Sequence, residues 1–234
     1  MTRRIGKILR EALSALLDFV YPPLCLSCGR LLESGGEHVC PDCWSSIKRA
    51  SRDLPLFLET RSKLVASGAI AELVSLFVFE KEGPFQAIVH ALKYSGIQQL
   101  GIELGKRLGS ALREEGVQAD AVVPVPLHKR KLRERGFNQS LLIARGISGV
   151  LGIPVRADLV RRTRWTQTQT ALSKEERKQN VEDAFECGET NLQGLCVIVV
   201  DDVITTGATI EAVARALEAS KAKTVIAASA AIAQ

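Results

Sequence analysis

The chain has 234 residues, 31 Lys and Arg against 26 Asp and Glu, and a formal net charge of +5. Hydrophobic residues make up 46% and charged residues 24%, an ordinary globular balance that excludes a disordered tail protein. No apolar run reaches the ~18 residues that span a bilayer, which excludes an integral membrane protein, and the modest charge permits a phosphate-bearing partner without requiring one.

Residues 1–22 are expected to form an amphipathic helix. Ile5, Ile8, Leu9, Ala12, Leu13, Leu16, Leu17 and Val20 recur at helical spacing. Arg3, Arg4, Lys7 and Arg10 precede or flank this stretch as in a signal peptide, but Glu11 and Asp18 interrupt it and no small-residue cleavage site follows. The helix reads as packing on its own protein; binding a membrane surface through Arg3, Arg4 and Lys7 is the weaker alternative.

A small metal module is expected over residues 23–62. Cys25-Leu-Ser-Cys28-Gly29 and Cys40-Pro-Asp-Cys43 are CxxC pairs eleven residues apart. Each turn can aim both thiolates at one ion, and four sulfurs suit tetrahedral, structural Zn²⁺ with no open coordination position. The competing reading is a redox pair, disfavoured because neither CxxC is expected to open a helix after a strand. His38 reads as a loop residue. With four of the six cysteines spent here and only Cys187 and Cys196 elsewhere, the compartment is expected to be the reducing cytoplasm.

Residues 63–234 read as a separate α/β domain. Strands are expected over residues 70–79, 121–125, 195–200 and 224–231. Helices are expected around Phe85, Ile88, Val89 and Leu92, and over residues 100–112, 139–151 and 211–219. Alternating strands and helices argue for a parallel sheet with right-handed crossovers, and sites in such sheets lie beyond the C-terminal strand ends.

The run that carries chemistry is Val197-Ile-Val-Val-Asp201-Asp202-Val-Ile-Thr205-Thr206-Gly207-Ala208-Thr209. An apolar strand delivers two carboxylates, and a short loop then enters a helix. Loop and helix N–H groups offer an anion site, Gly207 allows close backbone approach, and the threonine hydroxyls add donors. Asp201 and Asp202 can accept bonds from vicinal sugar hydroxyls or hold Mg²⁺. Helix capping alone needs one such residue, not two carboxylates on a strand. Together these describe a ribose-5-phosphate cradle.

A second run, Val122-Val-Pro124-Val-Pro126-Leu-His128-Lys129-Arg130-Lys-Leu-Arg133-Glu-Arg135-Gly136-Phe137-Asn138-Gln139, places basic side chains at a strand end. Residues 129–178 hold 13 Lys and Arg against 4 Asp and Glu, a local net of +9, so the rest of the chain carries −4. The positive charge reads as the lining of one anionic-ligand site rather than a generally basic surface. His128 stands beside this turn as a possible contact, while His90 reads as a satisfied structural residue, Cys196 as core and Cys187 as a loop residue.

The first run resembles the phosphoribosyl pyrophosphate (PRPP) signature of type I phosphoribosyltransferases. The second run resembles the competence protein ComF family, also called GntX-like. Leu92-Lys93-Tyr94-Ser-Gly96, the series Arg161, Gln169, Arg177, Asn180, Ala184-Phe185, and the four-Cys ribbon agree with it. The resemblance covers nearly the whole chain. It implies a type I phosphoribosyltransferase-like parallel sheet with flanking helices behind a zinc ribbon. It implies that Asp201 and Asp202 contact ribose hydroxyls and that Thr205, Thr206, Gly207, Ala208 and Thr209 hold the 5-phosphate. Pro124 to Leu127 would be the pyrophosphate turn, with Lys93, Lys129 and Arg130 contacting pyrophosphate alongside Mg²⁺. The stretch from Arg161 to Arg177 would be the mobile catalytic loop, through which Arg161 and Arg164 close over the site. The implied reaction displaces pyrophosphate from PRPP by an unknown acceptor. The alternative is a non-enzymatic factor that binds single-stranded DNA in natural competence, with competence or recombination proteins as partners and Trp44 and Trp165 available for stacking.

Overall fold

The computed structural model describes residues 22–32, 38–163, 184–188 and 191–233. The helix expected over 1–22 lies, but for Pro22, outside the described residues, as do Arg164 and Trp165. The chain divides into two compact units, Met1–Ile47 and Lys48–Gln234.

In the first unit an isolated antiparallel bridge joins Leu24 to Leu31. Between them the chain reverses at Gly29, whose φ of +70° suits a residue without a Cβ. The Gly29 N–H donates to Cys25 O at 2.8 Å, closing the knuckle. Helix α1 (Pro41–Ser46) follows. Cys40 is its N-cap, and Pro41 fills a first-turn position where no N–H is needed. The second CxxC therefore sits at a helix N-terminus, but among the described residues no strand leads into it.

The second unit is a four-stranded sheet in the order β1-β6-β5-β2. Its strands are β1 (Glu72–Val78), β2 (Ala121–Pro124), β5 (Cys196–Ile204) and β6 (Thr224–Ile232), and all three pairings are parallel. Val197 to Val200 are fully buried, as an unbroken apolar run requires in a strand covered on both faces. Helix α2 (Pro55–Ala66) precedes β1 and puts Phe57 and Leu64 into the main core beside β5 and β6 residues. The chain thus divides ahead of α2, between residues 47 and 48, rather than at the sequence-based position between 62 and 63.

Helices α3 (Pro84–Tyr94) and α4 (Gln98–Glu114) lie between β1 and β2. After β2 come α5 (Lys129–Arg135) and α6 (Gln139–Leu151), each ended by a glycine with positive φ, Gly136 and Gly152. Helices α4 and α6 pack at backbone distance: a Cβ on Gly105 would collide with the carbonyl of Ile143. A short antiparallel pair, β3 (Val160–Arg162) and β4 (Phe185–Cys187), precedes β5. Cys187 is therefore a strand residue rather than a loop residue. Helix α7 (Ala208–Ala219) crosses from β5 to β6.

Strand β5 runs four residues beyond Val200, pairing Val203 with Ala231 and Ile204 with Ile232 on β6. Asp201 and Asp202 thus lie inside the strand rather than just past it.

Candidate functional site

The four cysteines of the first unit come together: one sulfur from each of Cys25, Cys28, Cys40 and Cys43 lies within 4.8 Å of every other. Cys25 and Cys40 are buried, and all four are free thiols. Burial opposes ionisation of Cys25, but the N–H groups of Cys40, Cys28 and Ser27 more than offset it and draw the thiol down to about 6. A soft four-sulfur set at this spacing fits Zn²⁺. The Arg30–Asp42 ion pair, 2.7 Å long and exposed, joins the two knuckles across its surface.

In the second unit the site is organised around the acid pair. Oδ1 of Asp201 accepts from the Ser140 hydroxyl at 2.9 Å and from the Asp202 N–H at 2.9 Å. Ser140 is fully buried in the first turn of α6. Asn138 caps that helix: its Oδ1 accepts from Ser140 N–H, and its amide donates to Val125 O just after β2. Asp202 is 5% exposed. Its Oδ1 accepts from Val203 N–H at 2.8 Å, and its Oδ2 meets Lys93 Nζ at 2.6 Å. Lys93 stands in the last turn of α3, where the helix dipole favours a cation.

Burial and the adjacent Asp202 charge push the Asp201 carboxyl up to about 7, against the opposing pull of Ser140, the Asp202 N–H and Lys93. Two further cations face the pair. Burial and the charges of Arg162, Arg135 and Lys93 hold the Lys131 ammonium below its usual range, with Asp202 pulling the other way. Burial likewise lowers Arg162, with Asp201 opposing. The Arg162 guanidinium lies 5.2 Å from the centre of the Phe185 ring.

Beyond the pair, Thr205 and Thr206 are exposed and Gly207 is buried, with φ of +81°. A Cβ on Gly207 would come within 2.7 Å of Leu64 Cδ2. Gly207 is the N-cap of α7 and makes no side-chain cap; the Ala208 N–H donates to the Thr206 hydroxyl at 3.4 Å, and the remaining first-turn N–H groups have no intrahelical partner. A cleft of about 850 Å³ opens beside this loop, lined among others by Leu54, Leu56, Phe79, Lys81, Lys93 and Thr205.

The expected cradle residues Asp201, Asp202 and Thr205 to Thr209 are contiguous here, and Lys93 joins them. Lys129 and Arg130 are exposed, and Arg130 pairs with Glu134 at 3.0 Å. On α5 it is Lys131 that lies in the field of Asp202, while Arg135, one turn on, lies over the Tyr94 ring. Arg161 is exposed and paired with Glu186 across the β3–β4 hairpin at 2.9 Å; its neighbour Arg162 takes the inward position. His128 caps α5 through Nδ1, which accepts from Arg130 N–H at 3.2 Å. Burial and the charges of Arg162, Arg133, Lys129 and Arg130 disfavour its protonation. His90 is exposed beside Tyr94 rather than buried. Sequence reasoning passed over Ser140, Lys131 and Arg162. The signals were present: strand alternation gives Arg162 the face of buried Val160, and helical spacing separates Lys131 and Arg135 from Lys129 and Arg130.

Mg²⁺ held directly by the acid pair fits this arrangement poorly, because Lys93 and the Val203 N–H already engage the two Asp202 oxygens. No helix among the described residues is long and apolar enough to cross a membrane.

Comparisons with known proteins agree with both units. Residues 138–232 match the phosphoribosyl transferase domain, and residues 16–54 match the double zinc ribbon domain. The chain is 30% identical over 201 residues to Competence protein F of Haemophilus influenzae, covering 83% of this chain and 78% of that one. It is 28% identical over 215 residues to Competence protein ComFC of Bacillus subtilis, covering 86% and 81%. It is 37% identical over 147 residues to DNA utilization protein YhgH of Salmonella typhimurium, covering 61% of this chain and 64% of that length. Among solved structures, a glutamine PRPP amidotransferase from B. subtilis complexed with ADP and GMP is 26% identical, with a TM-score of 0.38, over 54% of this chain and 25% of that one.

Proposed function

The chain belongs to the ComF family of competence proteins, with a type I phosphoribosyltransferase-like domain behind a zinc ribbon, and on that premise we propose that it binds a phosphoribosyl pyrophosphate-type ligand. The observation that carries this reading is the β5–loop–α7 segment. It offers two carboxylates at one end and, a few residues on, the N-terminal turn of α7 with the exposed Thr205 and Thr206. Asp201 and Asp202 accept from ribose hydroxyls; Thr205, Thr206, Gly207, Ala208 and Thr209 hold the 5-phosphate. Lys131 and Arg162 supply positive charge for the pyrophosphate, with Lys129 and Arg130 adding to the positive surface of α5. Mg²⁺ belongs on the ligand's own pyrophosphate oxygens.

The proposed reaction is transfer of the phosphoribosyl group. The bond from the anomeric carbon to pyrophosphate oxygen breaks, and its electron pair leaves with pyrophosphate. The acceptor's lone pair forms the new bond to that carbon, and the acceptor loses a proton. Fixed cations near the leaving group stabilise the charge that develops on it. The 850 Å³ cleft beside Thr205 is the room available to an acceptor.

Calorimetry with PRPP tests the reading. Saturable binding that is lost in the Asp201→Ala, Asp202→Ala double variant supports it; no binding, or equal binding by the double variant, overturns it. Release of pyrophosphate on adding acceptors then separates an enzyme from a binding protein.

A second reading, single-stranded DNA binding in competence, is favoured by the surface next to the site. Tyr94 is 71% exposed, its ring 4.9 Å from His90 and 5.8 Å from the Arg135 guanidinium. Helix α5 carries Lys129, Arg130, Lys131, Arg133 and Arg135 beside it. An exposed ring among cations suits base stacking with backbone contacts. Binding that weakens steeply with salt and drops in Tyr94→Ala supports it; a flat salt response counts against it.

A further inference from the structure

We propose that Lys93 is the resident cation of the acid pair: its ammonium occupies the seat against Asp202 that a divalent metal would need, so the site takes a phosphoribosyl ligand without metal bound to the protein. This rests on the phosphoribosyl reading above and specifies the form of ligand the site accepts.

The contact is short and sheltered. Lys93 Nζ lies 2.6 Å from Asp202 Oδ2, with the two side chains 23% and 8% exposed. The other Asp202 oxygen is engaged by the Val203 N–H, and Asp201 Oδ1 takes two donors, Ser140 and the Asp202 N–H. Magnesium demands near-ideal octahedral geometry with oxygens at about 2.0–2.1 Å and gives up its waters reluctantly. An ion on Asp202 Oδ2 would be held against the Lys93 ammonium, 2.6 Å from the same oxygen, and the two positive charges repel. Displacing Lys93 from Asp202, its ion-pair partner among the described residues, would strand both charges.

The surrounding charge points the same way. Besides Lys93, both Lys131 and Arg162 lie in the field of the acids. Three cations against two carboxylates leave the site positive before any metal enters. A further doubly charged ion is repelled by that set, whereas a phosphoribosyl diphosphate, with several negative charges, is attracted. An ammonium has three N–H donors. The ion pair with Asp202 leaves donors for a ligand oxygen placed between the acid pair and the cleft that Lys93 also lines.

The test uses the full chain and two probes. The first is PRPP, titrated by calorimetry in excess EDTA and in Mg²⁺. Wild type is expected to bind in both with affinities within about threefold. Lys93→Met is expected to lose about thirtyfold or more in EDTA and to recover in Mg²⁺, on the scale of tenfold per 1.4 kcal/mol; Lys93→Arg is expected to keep EDTA binding. The second probe is Mn²⁺, followed by loss of its free-ion electron paramagnetic resonance signal without PRPP. Wild type is expected to bind none that depends on Asp202, and Lys93→Met to gain one ion that the added change Asp202→Asn removes. Wild-type PRPP binding that collapses in EDTA, or a wild-type Mn²⁺ site abolished by Asp202→Asn, overturns the assignment. Absence of PRPP binding in both buffers overturns the phosphoribosyl reading instead, and the Mn²⁺ arm still decides whether Lys93 holds the seat. Should Lys93→Met fail to fold, wild type and Lys93→Arg supply both decisions.

Discussion

Ser140 donates its hydroxyl to Asp201 across 61 residues of sequence, fixing the first turn of α6 against strand β5 at 2.9 Å. Ser140 is fully buried and Asp201 half-buried, so the bond sets the carboxylate's orientation as well as its charge. Ser140→Ala is expected to weaken PRPP binding by about three- to tenfold and to cost about 1 kcal/mol of stability, the size of one buried hydrogen bond. Calorimetry and urea unfolding measure the two effects separately.

The Asp201 carboxyl, raised to about 7 by burial and by the Asp202 charge, makes stability depend on pH. The folded state holds this proton more tightly than the unfolded chain, whose Asp titrates near 3.9. Stability from this group is therefore greatest below pH ~4 and is lost as pH rises through about 7. The neighbouring groups in its field are Asp202 on β5, Lys93 on α3 and Arg162 on β3, with Ser140 on α6 donating to it. Asp201→Asn keeps an acceptor for Ser140 but removes the titration. Relative to wild type it is expected to be more stable at pH 8 than at pH 5, as read by urea unfolding at the two values.

Arg161 and Arg162 are adjacent in sequence and opposite in setting. Arg161 pairs with Glu186 in solvent, while Arg162 is drawn under the acid pair's field. Arg162→Ala is expected to weaken PRPP binding about tenfold, the loss of one charge-assisted contact, and Arg161→Ala to change it by less than about twofold, as a surface pair would.

Gly105 sits where α4 meets α6, and a Cβ there would collide with the carbonyl of Ile143. Backbone cannot rotate aside as a side chain can. Gly105→Ala is expected to destabilise the second unit by about 2 kcal/mol or more, despite alanine's better helix propensity. Gly149, on the same helix as Ile143 but with nothing within 4 Å of its Cβ position, is expected to tolerate alanine. Thermal unfolding of the two variants checks the contrast.

The four-sulfur group predicts one zinc per chain by elemental analysis. Cys40→Ser, which removes a buried ligand while leaving a hydroxyl able to cap α1, is expected to abolish that stoichiometry. Because so small a unit buries little apolar surface, chelation is expected to unfold it, seen as exposure of the now-buried Trp44 by fluorescence.

Much of this protein follows from local sequence. The two CxxC pairs lead to one four-sulfur group because each knuckle needs only a short turn. The Val197 to Val200 run specifies a doubly covered strand because nothing else accommodates four consecutive apolar residues of that shape. The acid pair, threonines and Gly207 stay together because they are contiguous. What tertiary structure decided is which charged side chains turn inward. Lys93, Lys131, Ser140 and Arg162 come from α3, α5, α6 and β3, and the sequence-level choice of Lys129, Arg130 and Arg161 missed inward positions by one or two residues. Charge is a property of the residue, but its direction depends on the rotational phase of a helix or strand, which is set by what that element buries. In α5 no residue is buried, so the sequence holds no apolar stripe from which to read the phase, and only packing against the sheet reveals it.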